Sequence, residues 1–593
     1  MQRSSFPTAA CFNSCSLLRM DTLTTHFSTE FEVGFTAIRV ETGRLNFART
    51  AANRLFYRAG LRRMFWLAAM IMAFSAIVCA QDVVTYHNDN ARTGQNLKET
   101  ILNLTNVKSS TFGLLFTMPV DGKIDAEPLY LSSVSIPGQG VHNVLYVVTE
   151  NDSLYAFDAD TGAQLWQVSV LGQGETASDD FDCQNIYPQI GITSTPVIDR
   201  SSGPNGTIYL VAMSKDSNGN YFQRLHALDV TTGSEEFGGP TAIKARYPGH
   251  GDNHRGKYVY FDPKQYAERQ ALLLLNGVIY TAWSSHCDVR PYTGWVIGYS
   301  ESTLKQTSVV NLTPNGNRGS IWMSGAGLAS DGSNIYFLDA NGSFDTTLDA
   351  NGFPANGNFG NSFIKLTTKG NKLKVADYFT MWDTVDESKK DSDFGSGGAL
   401  LLPDMKDGNN KTWQLAIGGG KDSAIYIVDR NNLGKFNSDN DIDIYQEIDN
   451  ALPGGIWSMP AYFNGSVYYG PSAHYLSQFT FSQAKLATAP SSISAVTYPY
   501  PGSTPSISAN QTQNGIVWAI RHFFSKDSLH AYDATNLKNE LYNSNQAGTR
   551  DHFGSASHFG TPLIANGKVY VGTDTNVTAF GLLKQMKPAG GPR

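Results

Sequence analysis

The sequence is poor in charge, in cysteine and in long apolar runs, and each shortage excludes something. Only 16% of the 593 residues are charged, and the formal net charge is −7. Beyond residue 80 the chain holds 36 basic against 48 acidic residues, with no basic block. That balance argues against nucleic acid and against anionic membrane surfaces as partners. Of five cysteines, Cys11, Cys15 and Cys79 precede Gln81. The other two, Cys183 and Cys287, belong to no CxxC, no haem-attaching CxxCH and no zinc pattern. In an exported chain such a pair predicts one disulfide. No GxSxG elbow and no phosphate loop occurs.

The longest apolar run, Met64 to Val78, is short for a membrane span. Arg58, Arg62 and Arg63 precede it, and Val78-Cys79-Ala80 closes it before Gln81. Basic flank, apolar stretch and small residue before the cut make a signal peptide over residues 58–80. Val78 is a poor residue before a lipidated cysteine, so anchoring through Cys79 is the weaker reading. Residues 1–55 are long for a basic leader and suggest a start site placed too far upstream. The expectation is a presequence over 1–80, an irregular segment over 81–110, a folded body over 111–583 and a tail over 584–593. The product would be periplasmic or extracellular, monomeric, and without a transmembrane anchor.

What is plentiful is the pattern of Val144 to Trp166, VLYVVTENDSLYAFDADTGAQLW. Three short runs rich in β-formers are separated by the polar turns Glu150-Asn151-Asp152-Ser153 and Asp158-Ala159-Asp160-Thr161-Gly162. They read as three antiparallel strands, the first two apolar on both faces and therefore covered on both sides. The pattern recurs around Ile208–Asp229, Val278–Tyr299, Ile335–Leu366, Trp413–Asp429, Val467–Phe481 and Ile516–Asp533. At the C-terminus Lys568–Leu582 supplies two strands without a third, while Phe112–Val120 is a third strand without its first two. Joining the termini completes both. A fourth, innermost strand with proline or small residues precedes most copies, as at Glu127-Pro128-Leu129, Thr195-Pro196-Val197 and Thr561-Pro562-Leu563. The fold expected is all-β: an about eight-bladed β-propeller of four-stranded antiparallel blades, closed by pairing N- and C-terminal strands. The Gly- and Asn-rich stretches Ala340–Asn361 and Lys435–Asp443 read as long surface loops. Asp439, Asp441 and Asp443 lack an EF-hand frame and read as a solvated loop.

The run from Leu154 to Trp166 resembles the repeat of the pyrroloquinoline-quinone-like propellers, a group that includes quinoprotein alcohol dehydrogenases. The likeness is close for this copy, fair around Asp229 and Asp533, and loose elsewhere. The whole chain is similar to exported, mostly uncharacterised bacterial proteins with this repeat. In the motif Asp158, Asp160, Thr161, Gly162 and Trp166 have structural work: caps for the turn, a left-handed residue, and a ring to dock between blades. The repeat implies the fold and not the quinone.

In the dehydrogenases of that group a quinone stacks on a tryptophan in a funnel at one end of the channel, beside a calcium ion and an aspartate base. Residues opening the inner strands here are candidates to line such a funnel: Asp125, Glu127, Arg269, Trp322, Asp393, Trp457 and His558. Carboxylates with arginine and tryptophan suit a calcium–quinone site. Against it, no calcium triad aligns, no adjacent cysteine pair is present, and no haem domain follows. His250-Gly251-Asp252-Asn253-His254-Arg255 reads as a solvated or ligand-contacting loop. The leading expectation is a scaffold that binds a small molecule, glycan or protein, with no metal and no certain cofactor. The alternatives are a quinone- and calcium-dependent alcohol or sugar dehydrogenase, and a glycan hydrolase or lyase.

Overall fold

The computed structural model describes residues 81–370, 372–523 and 526–584. The presequence and the tail beyond Lys584 lie outside the described residues. Strands dominate, and Thr384–Lys390 is the one α-helix among the described residues. Most strands form antiparallel sheets of four to six strands, many of them four-stranded meanders, beside a three-stranded and a two-stranded sheet. This is the arrangement of a β-propeller. The first meander comprises Leu129–Ile136, Gly140–Val148, Ser153–Asp158 and Gln164–Ser169. All six residues of Ser153–Asp158 are buried, whereas Gln164–Ser169 is exposed or half-buried along its length. The two-faced apolar strands are thus the middle ones, covered by neighbours on both sides.

The apolar clusters lie between sheets. Leu131, Val144 and Leu154 of the first sheet pack with Ile198, Ile208 and Leu228 of the second. Leu145, Val147 and Tyr155 pack in the other direction, with Leu563, Tyr570 and Ala579 from the end of the chain. The strand Phe112–Pro119 pairs antiparallel with Asn576–Leu582 as the outer strand of that last sheet. Two half-units therefore meet as one sheet.

The motif residues do the expected structural work. Asp158 Oδ1 accepts from the backbone N–H of Asp160 (2.9 Å) and Thr161 (2.8 Å) and from the Thr161 hydroxyl (2.9 Å). Asp229 and Asp533 repeat this with Thr231 and Thr535. Asp160 itself receives Lys568 Nζ from the last sheet at 2.8 Å. Gly162 has φ +78°, and a Cβ there would stand 2.6 Å from the Phe116 ring of the preceding sheet. Trp166 abuts Gly233 of the following sheet in the same way. A device not read from the sequence accompanies it: Tyr570, Tyr146 and Tyr468 donate across to the carbonyls of Ala159, Val230 and Ala534, each directly after a motif aspartate.

The segment 81–110 departs most from expectation. It is irregular, as its sequence suggests, but His87, Arg92, Asn96 and Glu99 are at most 2% exposed. Residues 83–99 run past the first strands of successive sheets in order. Val83 exchanges two hydrogen bonds with Tyr130, and Ile198 N–H donates to the Val84 carbonyl at 2.8 Å. Asn90 reaches Leu274, and its carbonyl accepts from Ser330 N–H. The carbonyls of Ala91, Thr93 and Gly94 accept from Leu401, Tyr462 and Ile507. Asn96 then donates to the Ile564 carbonyl and Glu99 accepts from Gly567 N–H. Inner strands present unpaired edges, and this belt satisfies them. Arg92 donates to the carbonyls of Leu328, Tyr86 and Leu272 and to the Thr85 hydroxyl.

Three boundaries differ from the sequence reading. Pro128, Pro196, Pro460, Pro505 and Pro562 stand one residue ahead of the inner strands, which begin at Leu129, Val197, Ala461, Ser506 and Leu563. A residue without an N–H suits the point where the ladder starts. Trp413 belongs to a separate hairpin with Met405–Lys406, and the sheet strand starts at Leu415. In the loop Ala340–Asn361, Phe344, Phe353 and Phe359 close around Tyr378, so part of it is core.

Candidate functional site

Six of the seven candidate residues line three adjoining cavities, and the seventh, Asp393, lies against Trp322. A cavity of about 570 Å³ is lined by Lys123, Glu150, Asn185, His558 and Asp574 among others. A second, about 300 Å³, takes Asn185, Arg269, Trp322, Lys421, Trp457, Tyr500 and Phe559. A small recess behind it has Tyr86, Asp125, Glu127, Arg269 and Phe559 in its walls. Shared Asn185, Arg269 and Phe559 make the three spaces one funnel. Asp393 lies behind Trp322, 1% exposed, and accepts from the indole N–H at 3.1 Å.

Cys183 and Cys287 are disulfide-bonded, 104 residues apart in sequence, and Cys287 stands at the funnel wall. The bond ties the 180–190 loop, with Asn185, to the segment after the strand Val278–Ser285.

Most of the funnel's charges are already engaged. Lys123 pairs with Asp125 at 2.9 Å, and the Ser557 hydroxyl donates to the same carboxylate. Burial pushes Asp125 up, but Lys123 and bonds from Glu150 and Ser557 hold it below the usual range. Glu150 is driven well up, by burial first and then by Asp125. The two carboxyls thus shift in opposite directions, Asp125 down and Glu150 up. Lys421 binds Asp393 at 2.5 Å and Asp391 at 2.8 Å. Burial still leaves the Asp393 carboxyl raised. Glu127 is pushed up to about 8 by burial, against a hydrogen bond from His87 N–H and the charge of Arg92. The His558 imidazole is held down by burial and by His522 and Lys123.

Aromatic rings line the rest. Trp457 meets Tyr500 edge-on at 5.6 Å, and Tyr500 meets His558 at 6.5 Å. The Arg269 guanidinium lies 5.7 Å from the Trp322 ring centre and 4.9 Å from that of Phe559.

Sequence reasoning missed Lys123, Glu150, Lys421, Tyr500 and Phe559. Phe559 adjoins His558, and Lys421 follows Gly418-Gly419-Gly420 at the end of a strand, a pattern that marks backbone crowding. Glu150 was placed in an ordinary polar turn, yet it is fully buried at the channel end. The other polar clusters lie elsewhere. In the His250–Arg255 stretch, Asp252 pairs with Arg290 at 2.7 Å within an inserted three-stranded sheet. Asp441 accepts from Trp382 N–H and Asp443 from Asn437.

The fold is similar to that of solved quinoprotein dehydrogenases. Quinohemoprotein alcohol dehydrogenase from Comamonas testosteroni superposes with a TM-score of 0.55 at 14% identity, covering 86% of this chain and 82% of that one. A second such enzyme, ADHIIG from Pseudomonas putida HK5, gives 0.53 at 13% identity, covering 86% and 82%. A europium-containing methanol dehydrogenase gives 0.55 at 12%, covering 84% and 98%. At these identities the likeness is one of fold. No protein-family profile matches the chain, and no curated protein matches it in sequence.

The residues present suit half of a calcium–quinone site. Among the described residues no three of His, Cys, Asp and Glu come together as metal ligands. Of the candidate carboxylates, Asp125 is paired with Lys123 and Asp393 with Lys421, while Glu127 accepts from His87 N–H. A calcium ion would have to compete with these lysines for Asp125 and Asp393. The aromatic and cationic walls, in contrast, suit a flat polar molecule.

Proposed function

We propose that this chain is an exported, eight-bladed quinoprotein-like propeller, closed through its termini, whose funnel binds a small polar ligand without calcium-dependent redox chemistry. The observation that carries this is the state of the carboxylates. Asp125 and Asp393 are each paired with a lysine. A calcium ion needs several unengaged oxygens. A glycosidase pair needs carboxyls roughly 5–9.5 Å apart with room for substrate or water between them. Two of the candidate carboxylates are instead paired with lysines, and the adjoining cavities and their rings are what a binding site needs. The disulfide accords with export to an oxidising compartment.

The second reading, a quinone- and calcium-dependent alcohol dehydrogenase, is favoured by the fold of the solved enzymes. Calorimetric titration with pyrroloquinoline quinone, with and without calcium, separates the two. Binding indifferent to calcium, or none alongside saturable binding of another small molecule, supports the scaffold. Calcium-dependent one-to-one binding that is lost in Asp393→Asn would replace it with the dehydrogenase.

A further inference from the structure

A cavity of about 740 Å³ lies away from the funnel and shares no lining residue with it. Lys421 of the funnel stands between Leu415–Gly418 and Ile425–Asp429, at one end of these antiparallel strands. The cavity is at their other end, and segments longer than the repeat requires build it. Residues 402–414 join the first two strands of that sheet, where 566–567 suffice in the last sheet. Residues 430–445 follow Asp429, where 159–163 suffice after Asp158. The hairpin turn Gln483-Ala484 reaches in from the next sheet.

These segments hold one another. The Trp413 and Tyr445 rings meet at 4.6 Å, and the Trp413 indole N–H donates to Asp407 at 3.0 Å. The Tyr445 hydroxyl donates to the Ala484 carbonyl at 2.9 Å, and Lys485 Nζ to the Tyr445 carbonyl at 2.6 Å. The turn itself goes against backbone preference. Asn276-Gly277, Asn464-Gly465 and Asn566-Gly567 make the same two-residue connection with residues suited to two positive φ angles. Gln483 and Ala484 adopt φ +50° and +63° without a glycine. What Gln483 adds is a carboxamide in the cavity wall. Those of Asn409 and Asn432 join it there, and none of the three is engaged among the described residues.

We infer that this cavity is a binding site for a neutral oligosaccharide, separate from the funnel. A sugar hydroxyl both donates and accepts, and a carboxamide answers it in both senses, while Asp429 and Asp443 accept. The half-buried Trp413 and Tyr445 rings give the cavity an apolar wall for the C–H face of a pyranose. An anionic ligand would meet Asp407, Asp429 and Asp443, against a single lining cation, Lys485, that already serves the Tyr445 carbonyl. A cationic ligand would find its place on the rings taken. Lys411 Nζ stands 3.3 Å from the centre of the Trp413 ring, and Lys485 Nζ 3.7 Å from that of Tyr445. The volume admits more than one sugar ring.

The test is calorimetric titration of the protein with cellotetraose, maltotetraose, chitotetraose, trigalacturonate and tetramethylammonium. At least one neutral tetraose should bind one-to-one, and Trp413→Ala should weaken it roughly tenfold or more. Gln483→Gly removes the carboxamide at a turn position that favours glycine. It should melt no lower than the wild type and still bind the tetraose several-fold more weakly, a combination that a purely structural role for Gln483 does not produce. If no tetraose binds the folded protein, the proposal falls. Binding of trigalacturonate or tetramethylammonium in their place overturns the neutral chemistry. Affinity unchanged in both variants, or lost in Trp457→Ala but kept in Trp413→Ala, overturns the location. Where Trp413→Ala does not fold, Gln483→Gly decides.

Discussion

Replacing Arg92 by methionine tests whether the N-terminal belt holds the sheets together. The substitution keeps an unbranched apolar stem and removes the guanidinium. Three buried carbonyls, those of Leu328 (2.9 Å), Tyr86 (2.8 Å) and Leu272 (3.3 Å), then lose their donor. Each buried polar group left unsatisfied costs about 1–3 kcal/mol. Relief from burying the charge itself offsets part of this, leaving about 4 kcal/mol. For a body of roughly 500 residues, the unfolding entropy is about 1 kcal/mol per degree, so the midpoint should fall by about 4 °C. Differential scanning calorimetry reads that directly. Lys389→Met is the control, since Lys389 pairs with Asp386 on the helix surface with both side chains more than 60% exposed. Its effect should stay within about 0.5 kcal/mol. Equal shifts for the two variants would show that the belt lies on the inner strands without stabilising them.

Two further outcomes follow from single contacts. Gly233 has φ +70°, and a Cβ there would stand 2.8 Å from Val168 and 2.9 Å from Trp166. Gly233→Ala should therefore cost about 2 kcal/mol in a urea melt, and a neutral result would mean that Trp166 docks loosely between sheets. Glu127, with an ordinary value of 4.5, is raised to about 8 by burial. The folded state keeps a proton that the unfolded chain releases, so stability is full below pH 4.5 and declines as pH rises toward 8. Glu127→Gln retains an acceptor for His87 N–H and should flatten part of that decline. Glu268, also raised to about 8, accounts for a share of what remains. Parallel stability–pH curves for the variant and the wild type would refute the assignment.

Local pattern made the repeat legible. Alternating short apolar runs, the Asp-x-Asp-Thr-Gly turn and two complementary half-units specify strand, turn and closure through contacts within a few residues or one sheet. Asp158 caps its own turn, and Phe112–Pro119 finds the strand whose partner it lacks. The neighbourhood of the candidate residues could be read the same way, because each stands a few residues ahead of the first strand of a sheet.

What only the tertiary structure decided is which charges are paired. Lys123 with Asp125 is local in the fold but follows no repeat pattern. Lys421 with Asp393 joins segments 28 residues apart. The belt of residues 83–99 shows the same limit. Its sequence is polar and irregular, and nothing in it names eight partners spread over more than 400 residues. Hydrogen bonds to backbone edges carry no side-chain signature, so the chain could state its strands but not the segment that binds them. Sequence fixes periodic structure because periodicity is repeated information. Which charges meet is visible only once the segments that carry them have been placed.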